Sequence, residues 1–275
     1  MARRSPIELA QETALRGDTD DAVAQLTKLV GPKNLGAAAA LAEIEAFRGQ
    51  WPELLRHEFA FMHRPDSVYA GNVFADARNL VALAGVKTGA WSEIEKQTKA
   101  IRDELFAKPR LKKYVDGTSR DASGMDQLIE FARSKGKSAF PWDLNSDGLS
   151  EDALTEEWQS GKAYIDSNTK NRTERVGSYF DYICNIRSHR AGIQLFDEFG
   201  IKGTEFFETH VFVASSLARA KRADEAWKVI EQSLRHWTPV DSAQMAPVLL
   251  LIDEGVRPLM TPERCAWVLS TPRGS

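Results

Sequence analysis

The chain has 275 residues and a mass of 30.7 kDa, room for about two domains or one elongated one. Hydrophobic residues make up 43% and charged residues 27%, an ordinary globular balance that excludes a disordered chain. With 36 basic and 39 acidic residues the net charge is −3, which argues against a strongly basic nucleic-acid binder.

The N-terminus starts basic at Arg3 and Arg4, but Glu8, Gln11 and Glu12 interrupt the apolar stretch that a signal peptide requires. The longest apolar run, Ala246 to Ile252, is far shorter than the roughly 20 residues that span a bilayer. Two cysteines, Cys184 and Cys265, are too few for a disulfide-stapled scaffold, so a reducing cytoplasm is expected, with no membrane and no nucleic acid as partner.

In chain order, Val23, Leu26 and Val30, with Ala22 and Leu29, form the first apolar stripe at helical spacing. Phe74, Ala77, Val81 and Ala84 form a second, and Ile94, Ile101 and Leu105 a third. Trp227, Ile230, Leu234 and Trp237 step by three, four and three near the C-terminus. One-sided stripes of this period are amphipathic helices. The best strand-like stretch, Glu208 to Val213, fits a helix equally well, so the whole chain reads as all-α.

The breaks carry more information. Leu15-Arg16-Gly17-Asp18, Phe47-Arg48-Gly49-Gln50-Trp51-Pro52-Glu53 and Lys87-Thr88-Gly89-Ala90-Trp91-Ser92-Glu93 each end one helix and open the next on an acid. Ala220-Lys221-Arg222-Ala223-Asp224 does the same without a glycine. Glycine suits the left-handed backbone past a helix end, and acids suit a first turn. The acids Asp21, Glu53 and Glu93 stand 32 and 40 residues apart, periods of helix–turn–helix repeats.

Over about residues 7–106 and again 204–237 these segments resemble tetratricopeptide-like hairpins, although the family's Trp…Leu-Gly…Tyr signature and closing Pro do not recur in order. The resemblance implies antiparallel hairpins stacked as an irregular α-solenoid, a scaffold for binding proteins or peptides. The C-terminal run Trp237-Thr238-Pro239-Val240-Asp241, with Ala246-Pro247-Val248 and Thr261-Pro262-Glu263-Arg264-Cys265, resembles the tail of bacterial helical proteins. Some of these are similar to immunity proteins of polymorphic-toxin systems, and the partner so implied is a cognate toxin.

The middle differs in texture. Lys108, Arg110, Lys112 and Lys113 cluster around Pro109, a Gly/Ser/Asp-rich connection runs from Asp116 to Gly124, and a short helix is predicted over Met125 to Arg133. Residues 134–177 are polar and read as a loop-rich insertion. The expected organisation is therefore an N-terminal repeat lobe, 1–115, and a C-terminal helical lobe, 125–275, that contains the insertion.

Asp143-Leu144-Asn145-Ser146-Asp147-Gly148-Leu149-Ser150-Glu151 matches the opening of a calcium loop. Asp143, Asn145, Asp147, the Leu149 carbonyl and Glu151 would be its ligands. Position twelve, however, is Leu154 where the bidentate Glu should stand, and this removes two of roughly seven ligands. The alternative is an Asx-rich turn that caps a helix beginning near Glu151. Apart from that calcium reading, no cofactor is expected.

Six acids and no Lys or Arg lie between Asp143 and Glu157. This segment is either a solvated excursion or a face that meets a basic partner, with Asp147, Glu151, Asp152, Glu156 and Trp158 as the contacting residues. Of the seven tryptophans, Trp51, Trp91 and Trp227 read as wedges at helical turns, while Trp142, Trp158 and Trp237 are candidate exposed anchors.

His57, His63, His189 and His210 share no zincin spacing, and both thiols sit in apolar surroundings typical of inert cysteines. No G-x-S-x-G, P-loop, G-x-G-x-x-G or paired-Cys cluster occurs. The sequence therefore points to a non-catalytic protein–protein interaction protein, most concretely an immunity protein that neutralises a toxin with a basic surface. The alternatives are a peptide-binding scaffold or regulatory module, and a metal-dependent α/α enzyme.

Overall fold

The computed structural model describes residues 4–31, 34–63, 72–107, 119–138, 150–168, 171–201 and 206–274. Among these every regular element is helical, and no strand occurs. No helix among the described residues is long and apolar enough to cross a membrane.

The chain forms two compact units. Unit 1 comprises Met1–Asp143, Pro239–Val248 and Pro262–Pro272, and unit 2 comprises Leu144–Thr238, Leu249–Thr261 and Arg273–Ser275. The division falls near 143, beyond the 116–124 connection expected to separate the lobes, and two C-terminal segments return to unit 1.

Unit 1 contains α1 (Pro6–Leu15), α2 (Thr19–Leu29), α3 (Leu35–Arg48), α4 (Trp51–Met62), α5 (Asn72–Thr88), α6 (Trp91–Ala107) and α7 (Ser119–Arg133). A reciprocal capping box opens α1: Glu8 N–H donates to Ser5 Oγ at 3.2 Å, and Ser5 N–H donates to the Glu8 carboxylate. Neighbours in sequence pack in pairs, α1 on α2, α3 on α4 and α6 on α7.

The centre of unit 1 is α3. Its run of alanines makes it a strong helix former with a slim cross-section. Every residue from Gly36 to Phe47 is buried, because α2, α4 and α5 all pack against it. The C-terminal helix of the chain, here α14 (Pro262–Ser270), also packs on α3, so this unit closes through contacts distant in sequence. Thr19 Oγ1 donates to Leu269 O at 2.6 Å at that closure.

Unit 2 contains α8 (Glu151–Asn168), α9 (Arg172–Ile186), α10 (His189–Phe199), α11 (Phe207–Arg219), α12 (Ala223–Ser233) and a short α13 (Leu249–Ile252). Here too sequence neighbours pair: α8 with α9, α10 with α11, and α11 with α12.

The polar stretch 134–177, expected to be loop-rich, holds the 18-residue helix α8 and the start of α9. Its apolar signal is sparse because α8 buries little more than Trp158 and Ile165, seven residues apart. Similarly, the predicted helix Met125–Arg133 begins earlier, at Ser119.

The predicted breaks fall at helix ends. Gly17, Gly49 and Gly89 all adopt positive φ. At the break without glycine, Lys221 takes φ +64° instead. Of the predicted stripes, Phe74, Ala77, Val81 and Ala84 are buried, as are Ile94 and Ile101. On α2, however, Ala22 and Leu26 carry the burial, and Val30, just past the helix end, is 40% exposed.

Candidate functional site

Three carboxyl groups, on three helices, lie buried or half-buried inside unit 1, where an apolar core is the rule. Glu43 lies on α3, Glu58 on α4 and Asp76 on α5. Glu43 is 2% exposed and Glu58 1%, while Asp76 is half-buried. An isolated carboxylate at such a depth is very costly, so each oxygen needs a donor or a proton.

Two of the three groups find donors on one irregular segment, residues 239–248. Glu43 Oε2 accepts the backbone N–H of Met245 at 2.5 Å and of Ala246 at 3.0 Å. Asp76 Oδ2 accepts from Gln244 Nε2 at 3.1 Å. From α1, Gln11 Nε2 donates to Asp241 O at 2.7 Å and Gln244 O at 2.8 Å, fixing the same segment from a third helix. Ala243, Met245, Ala246 and Val248 are buried beneath these polar ties.

Glu58 is different. Its Oε2 is buried and has no hydrogen-bond partner among the described residues. Burial pushes its carboxyl well above the usual range, and the negative charges of Glu43, Asp76 and Glu45 push it further. Glu43 is raised for the same first reason, and then by Asp76, against the opposing pull of the two backbone N–H groups. Burial lifts Asp76 to about 6. Glu43 and Glu58 therefore give up their protons less readily than exposed acids do.

On the same helices, His57 Nδ1 lies 2.9 Å from Glu45 Oε2, with both residues buried. Sequence reasoning did not single out Glu43, Glu58 or Asp76. One signal was available: Glu43 and Glu45 interrupt an otherwise apolar run from Leu35 to Phe47, and a charge on a helix that is apolar all round is the informative exception.

Four of the five proposed calcium ligands, Asp143, Asn145, Asp147 and Leu149, lie outside the described residues, as do Trp142 and the basic cluster 108–113. Glu151 is described and has another task. Its Oε1 accepts from Ser188 Oγ at 3.1 Å and from Arg190 N–H at 2.9 Å, which satisfies the first turn of α10. Ser150 Oγ accepts from Ala153 N–H and caps α8 itself. Among the described residues no group of three or more His, Cys, Asp or Glu is placed to hold a metal ion.

The proposed contact residues separate by exposure. Asp152 and Glu156 are exposed on one side of α8, and Asp152 pairs with Arg190 at 3.1 Å. Trp158, read as an exposed anchor, is instead 1% exposed. It packs edge-on against Tyr179, with ring centroids 5.6 Å apart, because the two residues are what α8 and α9 offer each other as core. Trp237 is buried as well, under Arg273.

In unit 2, His189 Nδ1 is 2.8 Å from Ser216 Oγ, a pairing that resembles a nucleophile and its base. Ser216 is nevertheless wholly buried and donates its proton to Phe212 O at 2.9 Å. Burial, then Arg219, lowers the His189 pKa, and its ring stacks on Phe212. The hydroxyl thus ties α10 to α11. Cys184 is half-buried and Cys265 buried, and burial raises both thiols, Cys265 to about 11.

No family model matches the sequence, and comparison with curated proteins and with solved structures gives no match.

Proposed function

We propose that the chain is a recognition protein built from tetratricopeptide-like antiparallel hairpins, and most concretely an immunity protein that neutralises a cognate toxin in the cytoplasm by occluding a basic surface. The observation that carries this reading is the acidic edge of α8. Asp152 and Glu156 are one helical turn apart and exposed, while Trp158 on the opposite side is sealed into the core. Charges held on a rigid, well-anchored helix steer an oppositely charged partner and fix its register.

The test is to co-express the chain with the product of the gene directly upstream, and to follow growth and complex formation. Relief of toxicity with a one-to-one complex supports the reading; a toxic neighbour that is neither bound nor neutralised sinks it. Asp152→Lys with Glu156→Lys should slow association about tenfold or more at low salt. An unchanged association rate removes the α8 edge from the account.

A further inference from the structure

We draw no further inference here: the strongest candidate, the buried Glu58 carboxyl of α4 with Glu43 and Asp76 on the two helices packed against it, belongs to the site already described, and its raised protonation alone points to no ligand, since no group of three or more His, Cys, Asp or Glu among the described residues is placed to hold a metal ion.

Discussion

Glu43 on α3 takes the backbone N–H of Ala246 at 3.0 Å across 203 residues of chain, and the same oxygen holds Met245 N–H. One side chain therefore satisfies two consecutive buried donors on a segment without a ladder of its own. Leaving a buried donor unpaired costs about 1–3 kcal/mol. Glu43→Ala should accordingly destabilise unit 1 by about 2–4 kcal/mol, the relief of burying an acid offsetting part of the loss. Glu43→Gln retains a carbonyl acceptor and should cost less than about 1 kcal/mol. Urea unfolding of both variants measures the difference; equal losses would show that the acceptor is not what matters.

The buried acids of unit 1 and His210 of unit 2 should respond to pH in opposite senses. In unit 1, burial raises Glu43 and Glu58 well above the ordinary carboxyl value and Asp76 from 3.8 to about 6. The folded form then binds protons more tightly, so stability is complete below about pH 4 and declines as pH climbs through the folded values. In unit 2, burial lowers His210 from 6.5, and the charge of the stacked His236 ring lowers it further, against the pull of the Phe206 carbonyl. For that group the unfolded form binds the proton more tightly, so stability is lost as pH falls below 6.5 toward its folded value. Asp181, raised by burial, works the other way in the same unit, so the comparison is best made against His210→Gln. Thermal unfolding should show the parent losing ground to that variant between pH 7 and 5. A constant gap would remove His210 from the acid response.

Helix content and breaks were legible because they depend on local spacing: the stripe from Phe74 to Ala84 and the turn at Gly49 need nothing beyond their neighbours. Helix α8 was harder to see, since one face seals on Trp158 and Ile165 alone and the rest is polar. The three carboxyls were not legible at all. Glu43, Glu58 and Asp76 come from three helices. The donors that hold Asp76 and Glu43 stand 168 and 202 residues further along the chain, a separation that no local period spans. Glu151 shows the same limit. Counted as a calcium ligand from its place in a motif, it is committed to the first turn of α10.

Backbone turns give a graded test. Gly17 has φ +91°, and a Cβ there would lie 2.3 Å from Ser270 O, backbone that cannot move aside while α14 stays packed on α3. Gly89 has φ +71° with nothing within 4 Å, so a side chain meets only conformational strain. Gly89→Ala should cost about 1 kcal/mol. Gly17→Ala should cost clearly more, about 3 kcal/mol or above, since strain and overlap add. Lys221, at φ +64° with an exposed side chain, reverses the experiment: Lys221→Gly should stabilise unit 2 by up to about 1 kcal/mol. Thermal melts should place Lys221→Gly highest, Gly89→Ala next and Gly17→Ala lowest. A Gly17→Ala melt equal to that of Gly89→Ala would refute the contact with Ser270.

Neighbouring acids on α8 should separate into two classes. Glu151 satisfies Arg190 N–H and Ser188 Oγ, so Glu151→Ala exposes the start of α10 and should cost about 1 kcal/mol, as loss of a helix cap does. Asp152 is 86% exposed on its side chain and pairs with an Arg190 that is itself 58% exposed, where an ion pair contributes little in water. Asp152→Lys and Glu156→Lys should leave the melting temperature nearly unchanged, within about 0.5 kcal/mol of the parent. Charge reversal there is thus a clean probe of partner binding, because any loss of affinity cannot be traced to the fold. If Glu156→Lys lowers the melting temperature as much as Glu151→Ala, the α8 edge is part of the internal packing and does not serve as a docking face.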